Sequence, residues 1–579
     1  MSATIFYDGD CPFCSRYVKM IRLREALGQV EMVDLRSDAE RRAELEREGF
    51  DLDQGMVVET GGRRLGGADA TNALALMSTP SGLFNKLNRL IFSAPAVSGA
   101  VYPALRSGRW LTLFLMGRDG INDTARDLSQ RQVLFSFFFG LFSLFHVFNY
   151  AFPYGRDGFS PDLIAVFASA LLLLTRPQSA RALFLLMLAS LVSTIAQAPA
   201  QSNHTMLRTC VVLGYWLSFL WTFLRAAPVS DIFGNFTLAG RGSLLVMYVF
   251  GIFHKINTDF LTPETSCAVA LWREMPAPLN WLDFPAMHYA AIYGTYAVEG
   301  AIMLSLIFPR TRYVGLVCGI GFHLLLGLSD YAAYIAFTTL SIAMHVLFLG
   351  PVQLDRITRS REMAVIRVKS VQPIWVAAFL IVLMGGALAM WKHEFSLAAL
   401  FLLPFVLPLC ALILRYGQEA KDGEKTRPTV AAVVIGCIAA GTYFASGAMP
   451  YLGLKTAQSI NMFANLRLEA GVSNHVVFPD PPGPFTYLED VALIEDAGGS
   501  AFLQDFKNRG WGIVYYDLLA HLTENPELAV SYTMNGASFS GITGADVAAE
   551  AEAMLHAPFI RKWFHFQPVQ LDRPEGCTL

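Results

Sequence analysis

Charged residues are scarce in this 579-residue chain, since Asp, Glu, Lys and Arg make up 16% of it, against about a quarter of a typical soluble domain. Hydrophobic residues account for 54%. The shortage of charge is uneven, because residues 1–70 and 450–579 have an ordinary soluble composition, whereas residues 133–447 are dominated by apolar runs. This composition predicts several domains, one of them embedded in a lipid bilayer.

Three further absences narrow the possible functions. The chain has no basic patch with interleaved aromatic residues, so we expect no nucleic acid partner. The first residues lack the basic start, apolar core and cleavage site of a signal peptide, which predicts that the N-terminal domain stays in the cytoplasm. Eight cysteines in 579 residues do not form a disulfide framework, and only Cys11 and Cys14 are closely spaced.

Eleven apolar segments are candidate membrane-spanning helices, which need about 20 residues each. They cover residues 133–152, 161–175, 180–198, 204–224, 243–260, 287–308, 313–329, 331–349, 371–391, 396–414 and 429–447. With the N-terminus inside, the inner loops contain fifteen Lys and Arg residues and the outer loops three. Because inner loops collect positive charge, this contrast predicts an integral protein of a bacterial-type inner membrane, with eleven spans and an extracytoplasmic C-terminal domain.

The N-terminal residues alternate between strand and helix patterns. Strands are predicted at 3–7 and 30–35 and a hairpin at 56–65, with helices at 12–27, at 38–48 and from 68 onwards. Such alternation is typical of a small α/β layer fold.

Cys11-Pro12-Phe13-Cys14 lies where the first strand meets the first helix. Free backbone N–H groups and the helix dipole stabilise a thiolate at this position. A Cys11 thiolate is placed to attack a disulfide, and Cys14, one turn later, to resolve the mixed disulfide. Half of a zinc site is disfavoured because no second cysteine pair or close histidine pair lies nearby, and we expect no metal. Two merely buried thiols are the alternative.

The stretch Tyr7-Asp8-Gly9-Asp10-Cys11-Pro12-Phe13-Cys14 resembles the signature of the DCC family of thiol–disulfide oxidoreductases. The resemblance continues through Gly66-Gly67-Ala68-Asp69-Ala70 and ends near Tyr102–Trp110, so it covers roughly residues 1–118. It implies a thioredoxin-like domain with a redox-active disulfide at Cys11 and Cys14. No proline precedes the third strand, where thioredoxins keep a cis-proline, so substrate docking is expected to differ.

Asp8 and Asp10 have two interpretations. They tune the thiol pKa or take up protons, or they are turn and helix-capping residues.

Ionisable residues inside membrane spans are costly and indicate function. The end of the fifth segment contains His254, Lys255 and Asp259, and Lys255 and Asp259 are spaced to pair on one helix face. Desolvation would make Lys255 a useful base, whereas snorkelling to the interface is the alternative. Glu299 and His323 lie in the middle of spans, and His345 lies near the inner end of its span. A lone histidine is more often part of an interhelical hydrogen bond than a catalyst.

Phe253–Phe260 with Trp272 resembles a stretch of the HTTM domain, the membrane domain of the vitamin K-dependent γ-carboxylase family. Phe322-His323 resembles a second stretch, and Met462–Arg467 with Ser473–His475 a third, so the resemblance spans roughly residues 125–495. It implies that Lys255 deprotonates a quinol of menaquinone or vitamin K type, with His254 or His323 as helpers. Asn257, Asp259 and Glu299 are the predicted quinol-binding residues.

The sequence departs from the carboxylase pattern at two places. His254 replaces a lysine, and Asp259-Phe260 replaces an Asp-Trp pair. These departures argue more strongly against glutamate carboxylation than against quinol chemistry.

The predicted domains are a thioredoxin-like domain at 1–118, an all-α membrane domain at 125–449 and a mostly β or α+β domain at 450–579. Strands are predicted in the last domain at 486–494 and 512–516 and a helix at 545–556. Cys267 and Cys577 are both predicted outside the cell, so a disulfide between them is open to form.

Three hypotheses follow. The leading one is a membrane oxidoreductase that couples the dithiol domain to quinol-dependent chemistry, although Cys11 and Lys255 are predicted on opposite sides of the bilayer. The others are a quinol-dependent carboxylase with a peptide or protein substrate on the outer side, and a transporter or lipid-binding protein with a redox-regulatory thiol domain. Paired broken helices in the two halves of the membrane domain would favour transport.

Overall fold

The computed structural model describes residues 3–20, 30–79, 82–118, 120–121, 130–151, 158–198, 202–331, 334–370, 372–418, 427–480, 483–572, 574 and 577. The chain forms two compact units, the first of Met1–Ser129, Gln178–Arg181 and Tyr215–Phe236, and the second of Gln130–Pro177, Ala182–Gly214 and Thr237–Leu579. Each unit joins several stretches of chain, so the predicted domain limits at 118, 125 and 450 stay predictions.

The N-terminal domain is a four-stranded sheet with helices. Its strands are β1 (Ala3–Tyr7), β2 (Val30–Asp34), β3 (Val57–Thr60) and β4 (Arg63–Gly66), and its helices are α1 (Pro12–Met20), α2 (Ala39–Arg47), α3 (Gly67–Met77), α4 (Leu83–Phe92) and α5 (Pro95–Met116). The strand order is β2-β1-β3-β4, with β1 parallel to β2 and the other pairs antiparallel. The predicted α/β fold is confirmed, although residues 21–27 of the predicted first helix lie outside the described residues.

Alternation along the strands builds two cores. Ile5 and Val58 pack with both cysteines and Leu74 on one face of the sheet. Their neighbours Phe6 and Val57 pack with residues of the opposite face, because successive side chains of a strand point to opposite sides.

Helices dominate the chain from residue 130 to residue 448. They are α6 (Gln130–Ala151), α7 (Pro161–Thr175), α8 (Ala180–Gln197), α9 (Asn203–Arg225), α10 (Ser230–Phe253), α11 (Thr258–Leu261), α12 (Cys267–Arg273), α13 (Pro285–Ile307), α14 (Arg312–Leu326), α15 (Ile335–His345), α16 (Pro351–Thr358), α17 (Arg361–Ser370), α18 (Pro373–Trp391), α19 (Phe395–Leu400), α20 (Leu403–Tyr416) and α21 (Val430–Ala448). Short 3₁₀ turns at Leu279–Trp281, Val346–Phe348 and Met449–Leu452 join some of them.

Seven described helices are long and apolar enough to cross a bilayer, which fits an integral membrane protein. They are α6, α8, α9, α10, α13, α18 and α21 with its 3₁₀ extension. A bent pair, Ile335–Phe348 and Pro351–Thr358 at 106°, raises the number to eight if it forms one span. Each of the eleven predicted segments overlaps a helix, but α7, α14 and α20 are shorter apolar helices, so the count of eleven spans is not confirmed.

The fifth predicted span differs from α10 at both ends. The helix begins at Ser230 rather than at 243, so Arg241, predicted in a loop, is helical. Gly242 of this helix is a packing position, since a Cβ there would lie 2.8 Å from the Cβ of Ala440. The helix ends at Phe253, and Lys255 therefore lies in the break before α11 rather than on a helix shared with Asp259.

The C-terminal residues add a second four-stranded sheet of order β6-β5-β7-β8, with all pairs antiparallel. Its elements are β5 (Val491–Asp496), α22 (Ala501–Arg509), β6 (Gly512–Val514), α23 (Tyr515–Glu524), β7 (Val530–Met534), β8 (Ala537–Ile542), α24 (Ala548–Met554) and α25 (Pro558–Arg561). Helices α22 and α23 and the hairpin β7–β8 were not predicted from the sequence. The disulfide between Cys267 and Cys577, which the sequence left open, is present, and it ties the C-terminal residues to the start of α12.

Candidate functional site: a buried dithiol and a polar cavity

The dithiol lies at the junction of β1 and α1. The Cys14 backbone N–H donates to the Cys11 sulfur at 3.3 Å, as expected for a sulfur at a helix N-terminus. Both thiols are free and buried, with Cys11 0% and Cys14 8% exposed, whereas Phe13 between them is 58% exposed. A substrate disulfide therefore reaches Cys11 only after neighbouring side chains have moved.

The two thiols differ in acidity. The hydrogen bond from the Cys14 thiol outweighs the effect of burial and, with the Cys14 N–H and the charge of Arg109, lowers the pKa of Cys11 to about 6. The same hydrogen bond to Cys11, together with burial, raises the pKa of Cys14 well above its ordinary value. Cys11 is thus the thiolate at neutral pH, which supports its predicted role as the attacking residue.

Asp8 is a buried carboxylate held by two arginines. Arg36 Nε donates to its Oδ1 at 2.9 Å, and Arg109 Nη2 to its Oδ2 at 2.6 Å. Burial raises the pKa of Asp8, but the bond from Arg36 and the charges of Arg109 and Arg36 lower it further, so the net pKa falls below its usual value. The lowered pKa argues against Asp8 as a proton acceptor.

Both earlier interpretations of the two aspartates hold in part. The Asp10 N–H donates to Asp8 Oδ1 at 3.1 Å, which is a turn contact. The charge of Asp8 also acts on the thiols, because it opposes the formation of a thiolate at Cys11. The side chain of Asp10 is 49% exposed and lies 3.5 Å from Arg118.

Arg36 and Arg109 are functional candidates that the sequence analysis did not single out. Arg36 follows β2, the parallel neighbour of β1, so its position beside the end of β1 follows from the strand order. Arg109 lies on α5, 101 residues after Asp8, and its position beside the dithiol depends on how α5 packs.

We predict that Arg109→Gln raises the pH at which alkylation of Cys11 by iodoacetamide is half-maximal from about 6 by about one pH unit. The reason is that the guanidinium favours the thiolate, so its loss favours the thiol. Mass spectrometry of the Cys11 peptide across a pH series measures this midpoint. Arg63→Gln, at an exposed position of the same domain, should leave it unchanged, and an equal midpoint in both variants would contradict the electrostatic role.

A second candidate site is a cavity of about 100 Å³ in the second unit. This is several times the roughly 10–15 Å³ that holds one water. Its lining is partly apolar, and its polar lining residues are Asn203, His204, Tyr248, Lys255, Thr295, Glu299, His323, Tyr334 and Tyr443. Residues of the three sequence stretches at 253–260, 322–323 and 462–475 contribute to the lining, namely Lys255 and Phe260, Phe322 and His323, and Met462 and Phe463.

Lys255 and Glu299 form a buried ion pair in this cavity. Lys255 Nζ donates to Glu299 Oε1 at 2.8 Å, and both residues are less than 10% exposed. The expected pairing of Lys255 with Asp259 is wrong, because the helix ends before Lys255. Within the described part of the chain, Glu299 Oε2 has no hydrogen-bond partner.

His323 belongs to a hydrogen-bonded chain that fixes its protonation. His345 Nδ1 lies 2.7 Å from the Ser341 carbonyl, which only accepts, so Nδ1 carries the proton and Nε2 of a neutral His345 accepts. The Tyr248 hydroxyl therefore donates to His345 Nε2 at 3.1 Å and accepts from His323 Nε2 at 3.0 Å. His323 Nδ1 is left with a lone pair and, among the described residues, with no partner.

The other predicted site residues lie outside the cavity lining. His254 is fully buried, and its Nε2 bonds to the Gly447 carbonyl at 3.1 Å. Asn257 caps α11 by accepting from the Phe260 N–H at 2.8 Å, and Asp259 accepts from Asn474 at 2.9 Å. The bond of Asp259 ties the segment around Lys255 to Asn474, and the functional roles of the three residues stay predictions.

Comparison with known proteins gives one family match. Residues 5–113 match the family model of the DCC1-like thiol-disulfide oxidoreductases. This range of the chain includes both cysteines, Asp8, Arg36 and Arg109. No curated protein and no solved structure matches the chain. Residues 5–113, which contain the buried dithiol, are thus similar to the DCC1-like thiol-disulfide oxidoreductases, in a chain whose apolar helices fit a membrane domain.

Proposed function

We propose that the chain is a membrane-bound thiol–disulfide oxidoreductase in which Cys11 and Cys14 exchange electrons with a protein or small-molecule disulfide. The observation that supports this proposal most directly is the unequal acidity of two hydrogen-bonded thiols at the start of a helix. The family match of residues 5–113 supports the same class of reaction.

The proposed exchange has two steps. The Cys11 thiolate attacks one sulfur of the substrate disulfide, the substrate S–S bond breaks, and a substrate thiolate leaves. The negative charge on Cys11 is then gone, so one cause of the raised pKa of Cys14 disappears and Cys14 deprotonates more easily. Cys14 attacks the Cys11 sulfur and releases the second substrate thiol, and two electrons have passed from the dithiol to the substrate.

We predict that Cys14→Ser traps the mixed disulfide on Cys11. Full-length protein incubated with oxidised glutathione should gain one glutathione on the Cys11 peptide, and dithiothreitol should remove it. Because serine cannot resolve the intermediate, trapping should approach completeness, whereas the wild type releases glutathione. The proposal fails if the adduct forms equally in a Cys11→Ser variant.

A second candidate function, quinol chemistry at Lys255, is favoured by the composition of the cavity. A quinol would supply two electrons and two protons on oxidation. We propose that His323 Nδ1 accepts a proton from a hydroxyl in the cavity, since its lone pair is free and Tyr248 and His345 hold its other nitrogen. Because Lys255 Nζ donates to the Glu299 carboxylate, we assign Lys255 to the stabilisation of negative charge rather than to proton abstraction.

Two alternatives are less favoured. Peptide carboxylation would need the same cavity and a peptide groove beside it, and the departures at His254 and Phe260 weigh against it. Transport would be favoured by matching broken helices in two halves, whereas the described residues contain one bent pair.

For the orientation in the membrane, we propose that the dithiol faces the cytoplasm and the Cys267–Cys577 disulfide faces the oxidising side, because disulfides persist there.

Occupation of the cavity can be tested at Gly251. A Cβ there would lie 3.5 Å from Glu299 Oε2 and 4.0 Å from Lys255 Nζ, so Gly251→Leu fills space beside the ion pair. We predict that menadione raises the thermal midpoint of the detergent-solubilised wild type and of Gly300→Leu but not of Gly251→Leu, because a bound ligand stabilises the folded state. Gly300 is the matched control, since its Cβ meets no atom within 4 Å. An equal rise in all three proteins would place the quinone elsewhere.

A further inference from the structure

Helix α4 of the N-terminal domain has its apolar and polar faces inverted. Its asparagines point inwards: Asn85 is 1% and Asn88 4% exposed. Its leucines point outwards, with Leu83 80%, Leu87 52% and Leu90 79% exposed. These leucines have the spacing i, i+4 and i+7, so they form one stripe along the helix.

Each of the two inward-facing asparagines makes a specific hydrogen bond. Asn85 Nδ2 donates to Thr79 Oγ1 at 3.0 Å, and the Tyr17 hydroxyl donates to Asn88 Oδ1 at 3.0 Å. Phe92 is buried on this side. The leucine stripe is therefore exposed by a defined orientation of the helix and not by a loose fit.

The charge of α4 has one sign. Residues 83–92 contain Lys86 and Arg89 and no acidic residue. A stripe of leucines accompanied only by basic residues is typical of helices that lie in the interface of an anionic bilayer.

The neighbouring helix α5 is bonded to the turn between two candidate spans, within the same compact unit. Trp110 Nε1 donates to the Ala227 carbonyl at 2.7 Å, and Arg106 Nη2 donates to the Leu224 carbonyl at 3.0 Å. These carbonyls lie where α9 ends and before α10 begins. Only two residues separate α4 from α5, so α4 belongs to a domain that is bonded to the turn between both candidate spans.

We propose that α4 rests on the lipid bilayer, with Leu83, Leu87 and Leu90 in the boundary between headgroups and acyl chains and with Lys86 and Arg89 near anionic headgroups. The bilayer is the occupant of the stripe because α5 anchors the domain beside two spans and because the basic residues complement anionic lipid. The dithiol domain is then docked on the membrane surface by its own helix. This inference does not depend on the redox chemistry of Cys11.

The test uses the full-length chain in vesicles of phosphatidylcholine and phosphatidylglycerol and a membrane-soluble diazirine as photolabel. Mass spectrometry should find label on the peptide containing α4 and not on the peptide containing α2, a charged helix of the same domain. Replacing Lys86 with glutamate should shift the docking equilibrium about fivefold or more towards the undocked state, seen as weaker labelling, and Arg89→Glu should add to this effect. Lys19→Glu, on α1, is the control and should leave labelling unchanged.

Two outcomes would overturn the proposal. Labelling of α4 at the level of α2 would show that water or protein covers the stripe. A cross-link between cysteines introduced at Leu90 of two copies, together with absent lipid label, would assign the stripe to a second copy of the chain. Because the leucines are exposed, a Leu83→Ser and Leu90→Ser variant should still fold, and it should lose lipid labelling while its alkylation profile at Cys11 is retained.

Discussion

Replacing Cys11 with serine is expected to reduce disulfide exchange by the full-length protein to the rate of the buffer. A serine hydroxyl is not ionised at neutral pH, whereas the pKa of Cys11 is lowered to about 6, so that the thiolate predominates at pH 7. Release of fluorescence from a self-quenched peptide disulfide measures the rate. The Cys11→Ser variant should stay at the buffer rate at every pH between 5 and 9, because no other group is expected to supply the attacking sulfur.

The control for this variant is Cys318→Ser. Cys318 is a free and exposed cysteine in α14, and its replacement should leave the exchange rate unchanged. If Cys11→Ser retains some exchange and the additional change Cys318→Ser removes it, the activity belongs to Cys318 and not to Cys11. Residual exchange that survives both changes would make Cys14 the attacking residue, which its raised pKa argues against.

The N-terminal domain was predictable because its signals are local. The alternation of strand and helix patterns and the position of the cysteine pair can be read within short windows, and the structure confirms them. Arg109 could not be found in this way, since 101 residues separate it from Asp8 and its position depends on the packing of α5. Gly9 of the turn Asp8-Gly9-Asp10 was visible in the sequence, but the need for a glycine there was not, since a side chain on Gly9 would collide with the carboxylate of Asp34 at the end of β2.

The apolar helices were located from hydrophobicity, but their ends and number were not. Hydrophobicity cannot tell a glycine that lets two helices approach from a glycine in a loop, so the start of α10 was predicted too late. The partner of Lys255 was also missed. A pattern of four residues favoured Asp259, whereas the carboxylate that binds Lys255 comes from α13, 44 residues away.

The two histidines illustrate a further limit of sequence reasoning. His323 and His345 each had the more common interpretation of an interhelical hydrogen bond, and each makes one to Tyr248. The functional consequence is a lone pair on His323 Nδ1. It follows only when the direction of each hydrogen bond from Ser341 through His345 and Tyr248 to His323 is known. Tyr248 lies seven residues before Lys255, about two helical turns, and this spacing was the available signal for it.

Breaking the Lys255–Glu299 pair is expected to destabilise the second unit strongly. Lys255→Met leaves the Glu299 carboxylate buried without its cation, and removing one partner of a buried pair costs about 3–5 kcal/mol. The thermal midpoint in detergent should fall by several degrees. Lys392→Met, at an exposed lysine, should leave the midpoint unchanged.

The double variant separates the structural role of the pair from its proposed role in the cavity. Lys255→Met with Glu299→Leu removes both charges and fills similar volume, so the midpoint should return close to that of the wild type. If the cavity binds a quinone through the Lys255 ammonium, menadione should not raise the thermal midpoint of the double variant, even though its stability is restored. If the double variant remains as unstable as Lys255→Met, the pair is not the source of the stability. If the double variant responds to menadione as the wild type does, Lys255 and Glu299 are not part of the binding site.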